Sequence, residues 1–119
     1  IYMDERTGAY HRRRRLPVFA YSSQAQGFFK GIPEPDGIVG VRPGVLARYD
    51  TDANRRRLTE VRRLSRELGC TPNQVALAYL LHRAFPVFPI IGPRTAAQLD
   101  DSLGACKIRL GQGQLQKLA

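Results

Sequence analysis

Apolar residues recur at helical spacing in one part of this chain and run unbroken in others. Leu58, Val61, Leu64 and Leu68 fall on one face of a stretch otherwise rich in arginine, which predicts a helix over about 54–68. Asp50-Thr51-Asp52 supplies N-cap candidates and Gly69 a stop. Thr71-Pro72-Asn73-Gln74 then offers a cap, a proline at the first helical position and a capping-box glutamine. The helix that follows, Val75–Leu81, is apolar nearly all round, so it must be buried on most sides. Pro86 is expected to end it.

Two short apolar runs read as strands, Pro17–Tyr21 and Val87–Ile91. Pro17 stands at a strand start, where its missing N–H is tolerated. Val87–Ile91 lacks alternation, as expected where both faces are covered. Residues 4 to about 14 read as a helix end, with Arg12–Arg15 loading its negative pole. Residues 30–44, with Gly31, Gly37, Gly40, Gly44, Pro33, Pro35 and Pro43, predict a long loop, followed by a brief helical turn over Val45–Tyr49. Ile108 and Leu110 are expected to dock on the core, and Gln112–Ala119 to start a helix or fray. Strands alternating with helices indicate the α/β class with parallel pairing. Two strands do not make a stable sheet alone, and the first residue is Ile1 rather than Met. The expectation is therefore that further strands lie upstream or come from another copy.

Each strand runs into a polar turn. The second is the more telling: Val87–Ile91, then Gly92-Pro93-Arg94, then Thr95-x-x-Gln98 as a capping box opening a helix that ends near Gly104. That order gathers backbone N–H groups, a helix N-terminus and a guanidinium around one small volume suited to a phosphate. Ser22–Gly27 follows the first strand in the same way. Together they suggest a nucleotide site at the carboxyl ends of parallel strands.

Composition changes this picture little. The net charge is +9, from 19 basic and 10 acidic residues, with arginines clustered at Arg12–Arg15, Arg55–Arg57 and Arg62–Arg63. A basic balance favours anionic partners, although solvated helix faces account for much of it. Cys70 and Cys106 show no metal-ligand spacing, and the default is a reduced, cytoplasmic protein. No apolar run nears the roughly 18 residues of a membrane span.

The segments Leu16–Phe29, Asn54–Leu58, Leu68–Tyr79 and Phe85–Thr95 together resemble the aldo-keto reductases in order and spacing, over about Met3 to Leu118. The resemblance implies a (β/α)8 TIM barrel that binds NADPH without a Rossmann fold. It implies hydride transfer between the nicotinamide and a small carbonyl or alcohol substrate. The chain would be the C-terminal portion of that barrel, residues 1–119 supplying strands seven and eight, two parallel strands with about five helices. Active sites of such barrels lie at the carboxyl ends of the strands.

Roles carry over by position. Tyr21 matches the aromatic residue that stacks on the nicotinamide. Ser22, Gln24 and Gln26 match the loop touching ribose and pyrophosphate, and Gly27 matches a point of close backbone approach. Gly92, Arg94, Gln98 and Asp101 match the adenosine-phosphate motif, and Arg94 suits a 2′-phosphate, favouring NADP over NAD. Ser102 stands where many relatives carry an asparagine for adenine. The family's catalytic aspartate, tyrosine, lysine and histidine have no counterpart here, so the chain alone is expected to be inactive. His11 and His82 read as structural; Phe28 and Phe29 read as substrate wall or core.

Two other readings stand beside this one. Leu64–Ala76 also resembles a helix-turn-helix, which +9 would suit, yet Val75–Leu81 offers almost no polar side chains to a groove. A non-catalytic relative that binds cofactor and partners is the other. The favoured reading expects neither nucleic acid nor membrane as partner, and allows self-association through exposed barrel edges.

Overall fold

The computed structural model describes residues 3–119. Helix α1 spans Glu5–Arg14 because both ends are closed. Asp4 accepts from the Thr7 N–H at 2.7 Å, and Arg15 ends the helix in a left-handed conformation, φ 52°. The cations of its last turn sit at the negative pole of the helix.

Strand β1, Val18–Ala20, pairs in parallel with a strand at Val87–Pro89, matching Val18 to Val87, Phe19 to Phe88 and Ala20 to Pro89. The pair is extended by Val18 N–H to Pro86 O and by Ile90 N–H to Ala20 O, both at 2.9 Å. One expectation is corrected here. The apolar run Val87–Ile91 predicted cover on both faces, but Phe19 and Phe88 stack on each other at 5.3 Å and are 68% and 52% exposed. Tyr21 and Ile90 continue that open face, while Val18, Ala20, Val87 and Pro89 are half-buried on the other side.

A second correction concerns residues 30–44, read as loop. They contain a hairpin, β2 at Ile32–Glu34 and β3 at Gly37–Val39, turned through Pro35-Asp36. Three-residue strands are too short to show alternation, and Pro33 is tolerated because the hairpin has only edges. Ile38 anchors it in a core with Phe28, Val45 and Leu58. Gly31 is required by close approach: a Cβ there would meet the Ile38 and Val41 side chains at 2.5 and 2.7 Å.

Helix α2, Pro43–Tyr49, is a full element rather than a brief turn. Helix α3, Asp52–Glu67, begins at Thr51, which accepts from Asn54 N–H at 3.2 Å. Leu58, Val61 and Leu64 are buried as the periodicity predicts; Leu68 instead caps the helix and is exposed. Helix α4, Pro72–Leu81, carries the expected capping box between Thr71 and Gln74. It stops at Leu81, well before Pro86. His82 caps this end: Nδ1 donates to Ala78 O at 2.8 Å, and Nε2 accepts the Leu110 N–H at 3.4 Å. That pairing fixes a structural tautomer for the ring.

The second strand of the parallel pair is β4, Val87–Pro89, and α5, Ala96–Gly104, follows it. A 3₁₀ turn over Ala105–Lys107 leads to α6, Gln112–Leu118. Leu110 and Leu118 join Val61, Leu64, Val75 and Ala78 in the main core, with Ile108 packed against it. The chain thus has six α-helices among its described residues, against the five or so expected, and two strand pairs rather than one. Val75 to Ala78 are all buried, so α4 packs as a core helix and has no free polar face with which to enter a groove. No described helix is long and apolar enough to cross a membrane.

Candidate functional site

Parallel pairing sends the segments after β1 and β4 out of the same edge of the sheet. The first is strained. Ser22, Ala25, Gln26 and Gly27 have φ of 52°, 46°, 53° and 91°, all left-handed. Such conformations cluster where a loop is held for a purpose. Gly27 is demanded by torsion, since a Cβ there would meet no atom of the described chain within 4 Å. Within the loop, Ala25 N–H bonds Ser22 O at 2.8 Å and Gly27 N–H bonds Gln24 O at 2.9 Å.

Two side chains tie this loop to the rest. Ser23 Oγ donates to Ile90 O at 2.7 Å. Gln24 Nε2 donates to Asn73 Oδ1 at 2.9 Å and to Ser102 Oγ at 3.1 Å. Asn73 Nδ2 donates in turn to Asp101 Oδ2 at 2.7 Å, and Thr71 Oγ1 donates to Asp101 Oδ1 at the same distance. Gln74 Nε2 reaches Asp101 O at 2.8 Å, and Ser102 Oγ donates to Gln98 O at 2.9 Å. The start of α4, the second half of α5 and the β1 loop are therefore one polar assembly.

The turn after β4 is shaped from α5. Gln98 Oε1 accepts the Arg94 N–H at 2.8 Å, and Thr95 Oγ1 accepts the Gln98 N–H at 3.2 Å. The N–H groups of Ala96 and Ala97 are left without a partner among the described residues. Arg94 is exposed, and none of the ion pairs among the described residues involves it.

The residues singled out from sequence divide into two groups. Tyr21, Ser22, Gln26, Gly92 and Arg94 are exposed at the loop edge, Tyr21 on the open face beside the Phe19–Phe88 stack. Gln24, Gln98, Asp101 and Ser102 are less exposed and are engaged with protein partners. Ser102 is 5% exposed, so its hydroxyl is committed to the assembly. Phe28 is core at 1% exposed, and Phe29 packs between the two cores. Ser23 and Asn73 were missed: one reads as turn chemistry and the other as an ordinary polar residue at a helix start. Burial raises the Cys70 thiol above its ordinary pKa, helped by the negative charge of Asp101. Among the described residues, no group of three or more histidine, cysteine, aspartate or glutamate side chains is placed to hold a metal.

A parallel strand pair with helix packed against it, and two turns leaving its carboxyl end, is consistent with part of a (β/α)8 barrel. The sequence profile of the Aldo/keto reductase family matches residues 5–119, and the chain belongs to that family. It is 28% identical over 112 residues to "Probable aldo-keto reductase 1" of Glycine max, covering 90% of this chain and 32% of that protein. It is 22% identical over 112 residues to a Schizosaccharomyces pombe protein described as aldo-keto reductase yakc, NADP(+), covering 90% and 33% respectively. The chain thus spans about a third of the length of these curated relatives.

Proposed function

We propose that this chain is the cofactor-binding portion of an NADP-dependent oxidoreductase that interconverts a small carbonyl compound and its alcohol. The observation that carries the reading is the joining of two turns at one sheet edge, through Ser23 Oγ to Ile90 O and Gln24 to Ser102. The residues present fit a phosphorylated dinucleotide. Arg94 is an exposed guanidinium without an ion-pair partner among the described residues, beside the free N–H groups at the start of α5, which suits the 2′-phosphate. Ser22 and Gln26 line the strained loop on the pyrophosphate side, with Gly27 and Gly92 giving close backbone access. Tyr21 offers an exposed ring on the open face for the nicotinamide to stack on, which is a positioning effect. Gln24, Asp101 and Ser102 hold these groups in place through their hydrogen bonds, and Gln98, whose Oε1 shapes the turn at Arg94, keeps its amide nitrogen for the adenosine end of the cofactor. When bound, the cofactor supplies a hydride to a carbonyl carbon.

Proton donation belongs to residues outside these 119, since none of the five tyrosines, Tyr2, Tyr10, Tyr21, Tyr49 and Tyr79, matches the family's catalytic position. Carbonyl-dependent NADPH oxidation by the chain and by an N-terminally extended form tests this. Turnover only in the extended form is expected; turnover by the 119-residue chain contradicts the placement of the chemistry. The Schizosaccharomyces pombe relative carries NADP(+) in its name, which supports NADP over NAD.

A further inference from the structure

We propose that Asn73, at the start of α4, is a positioning residue for the cofactor site, acting through Gln24 to hold the β1 loop at a fixed distance from α5. The inference rests on the functional reading above. Asn73 is half-buried and uses both ends of its amide. Its oxygen accepts from Gln24 Nε2 at 2.9 Å; its nitrogen donates to Asp101 Oδ2 at 2.7 Å and, at 3.4 Å, leans toward Ser102 Oγ. From its place on α4 it therefore joins a loop 49 residues away in sequence to a helix 28 residues away.

Only an amide of this length does both. Aspartate has no proton for Asp101 and would set two carboxylates against each other; alanine reaches neither side. The loop needs the anchor because its conformation is unfavourable in isolation. Four of its six residues from Ser22 to Gly27 have positive φ, and only Gly27 is a glycine. Its internal hydrogen bonds, Ala25 to Ser22 and Gly27 to Gln24, are local and fix its curl but not its place. Place is set by Ser23 on Ile90, by Phe28 in the core, and by Gln24 on Asn73 and Ser102. Without Asn73, Gln24 loses the shorter of its two partners, and Asp101 loses one of the two side chains that orient it.

The test compares Asn73→Ala, Gln24→Leu, the double variant and Leu118→Ala in the intact protein. Leu118 is buried in α6, away from the loop, and serves as a control for lost stability. Two readouts are taken: amide exchange at Ala25 and Gly27, and NADPH affinity by fluorescence titration. Asn73→Ala should speed exchange at both amides and weaken NADPH by about tenfold, the loss expected for about one buried hydrogen bond. Gln24→Leu should do the same, and the double variant should add little to either. Leu118→Ala should lower the Tm without either effect. Loop exchange unchanged in Asn73→Ala, and in Gln24→Leu if the first does not fold, overturns the inference. Faster exchange with unaltered NADPH affinity overturns the link to the site. A parent protein that binds no NADPH overturns the functional reading itself, and with it the role of Asn73 toward the cofactor.

Discussion

Ser23 and Ile90 meet across 67 residues of sequence, hydroxyl to carbonyl, at 2.7 Å. Ile90 has just donated its own N–H to Ala20, so the contact lies one step beyond the last paired residues of β1 and β4. It continues the parallel sheet with a side chain where the backbone has already turned away. Both proposed cofactor segments start from this point. Replacing Ser23 with alanine removes a neutral hydrogen bond worth about 0.5–1.5 kcal/mol, which urea denaturation will read. NADPH affinity should fall several-fold in the same variant.

The main core joins α3, α4 and α6 around Leu64, which is fully buried. Leu64→Ala should cost about 2–5 kcal/mol, since the surrounding helices cannot close the cavity fully. A loss under about 1 kcal/mol by chemical denaturation would mean that α3 and α4 are not packed as described.

Asp50 and Arg55 form an exposed bidentate pair at the junction of α2 and α3, at 2.6 and 2.8 Å. The guanidinium hydrogen bonds hold the Asp50 carboxyl below its ordinary pKa, against the opposing effect of desolvation. A depressed carboxylate stabilises the fold above its unfolded pKa. That contribution is lost as pH falls through the lower, folded value. Following Asp50 by NMR in acid should give a midpoint below that of Asp50 in an Arg55→Ala variant. The effect on stability should be small, because the pair is solvated.

The two thiols should differ in reactivity. Cys106 is exposed, whereas Cys70 is half-buried and its thiol is pushed up, first by desolvation and then by Asp101. At mildly alkaline pH a charged alkylating agent should modify Cys106 first. Asp101→Asn should lower the Cys70 pKa and speed its alkylation; an unchanged rate would remove Asp101 as a cause.

Much of this was legible in the residues themselves. The capping box at Thr71-Gln74, the Thr95 cap of α5, and the apolar face Leu58, Val61, Leu64 act through near neighbours and so are written locally; the box expected at Thr95-Gln98 forms only by half, because Gln98 Oε1 takes the Arg94 N–H instead of that of Thr95. The hairpin at 32–39 was not, because three-residue strands hold no visible period and its prolines read as loop. Nor was the end of α4 at Leu81, where the His82 ring meets the Leu110 N–H from 28 residues away. At the site, the exposed residues follow from family resemblance by position. What could not be read is which polar side chains turn inward: Asn73, Asp101 and Ser102 look alike as sequence, and only the packing of α4 on α5 commits them to each other. The open face of Phe19 and Phe88 was likewise hidden, since an unbroken apolar run does not say how many of its faces this chain covers.

The account stands most directly on Arg94. Titrating the intact protein and its Arg94→Ala variant with NADPH and with NADH isolates the 2′-phosphate, the one group that distinguishes the two ligands. The expected result is an NADPH affinity weakened by about 10- to 100-fold, the worth of a charge-assisted hydrogen-bonded contact, with NADH changed by less than about twofold. Equal losses for both cofactors, or a preference left as it was, would contradict the assignment of Arg94 and the turn after β4 to the phosphate.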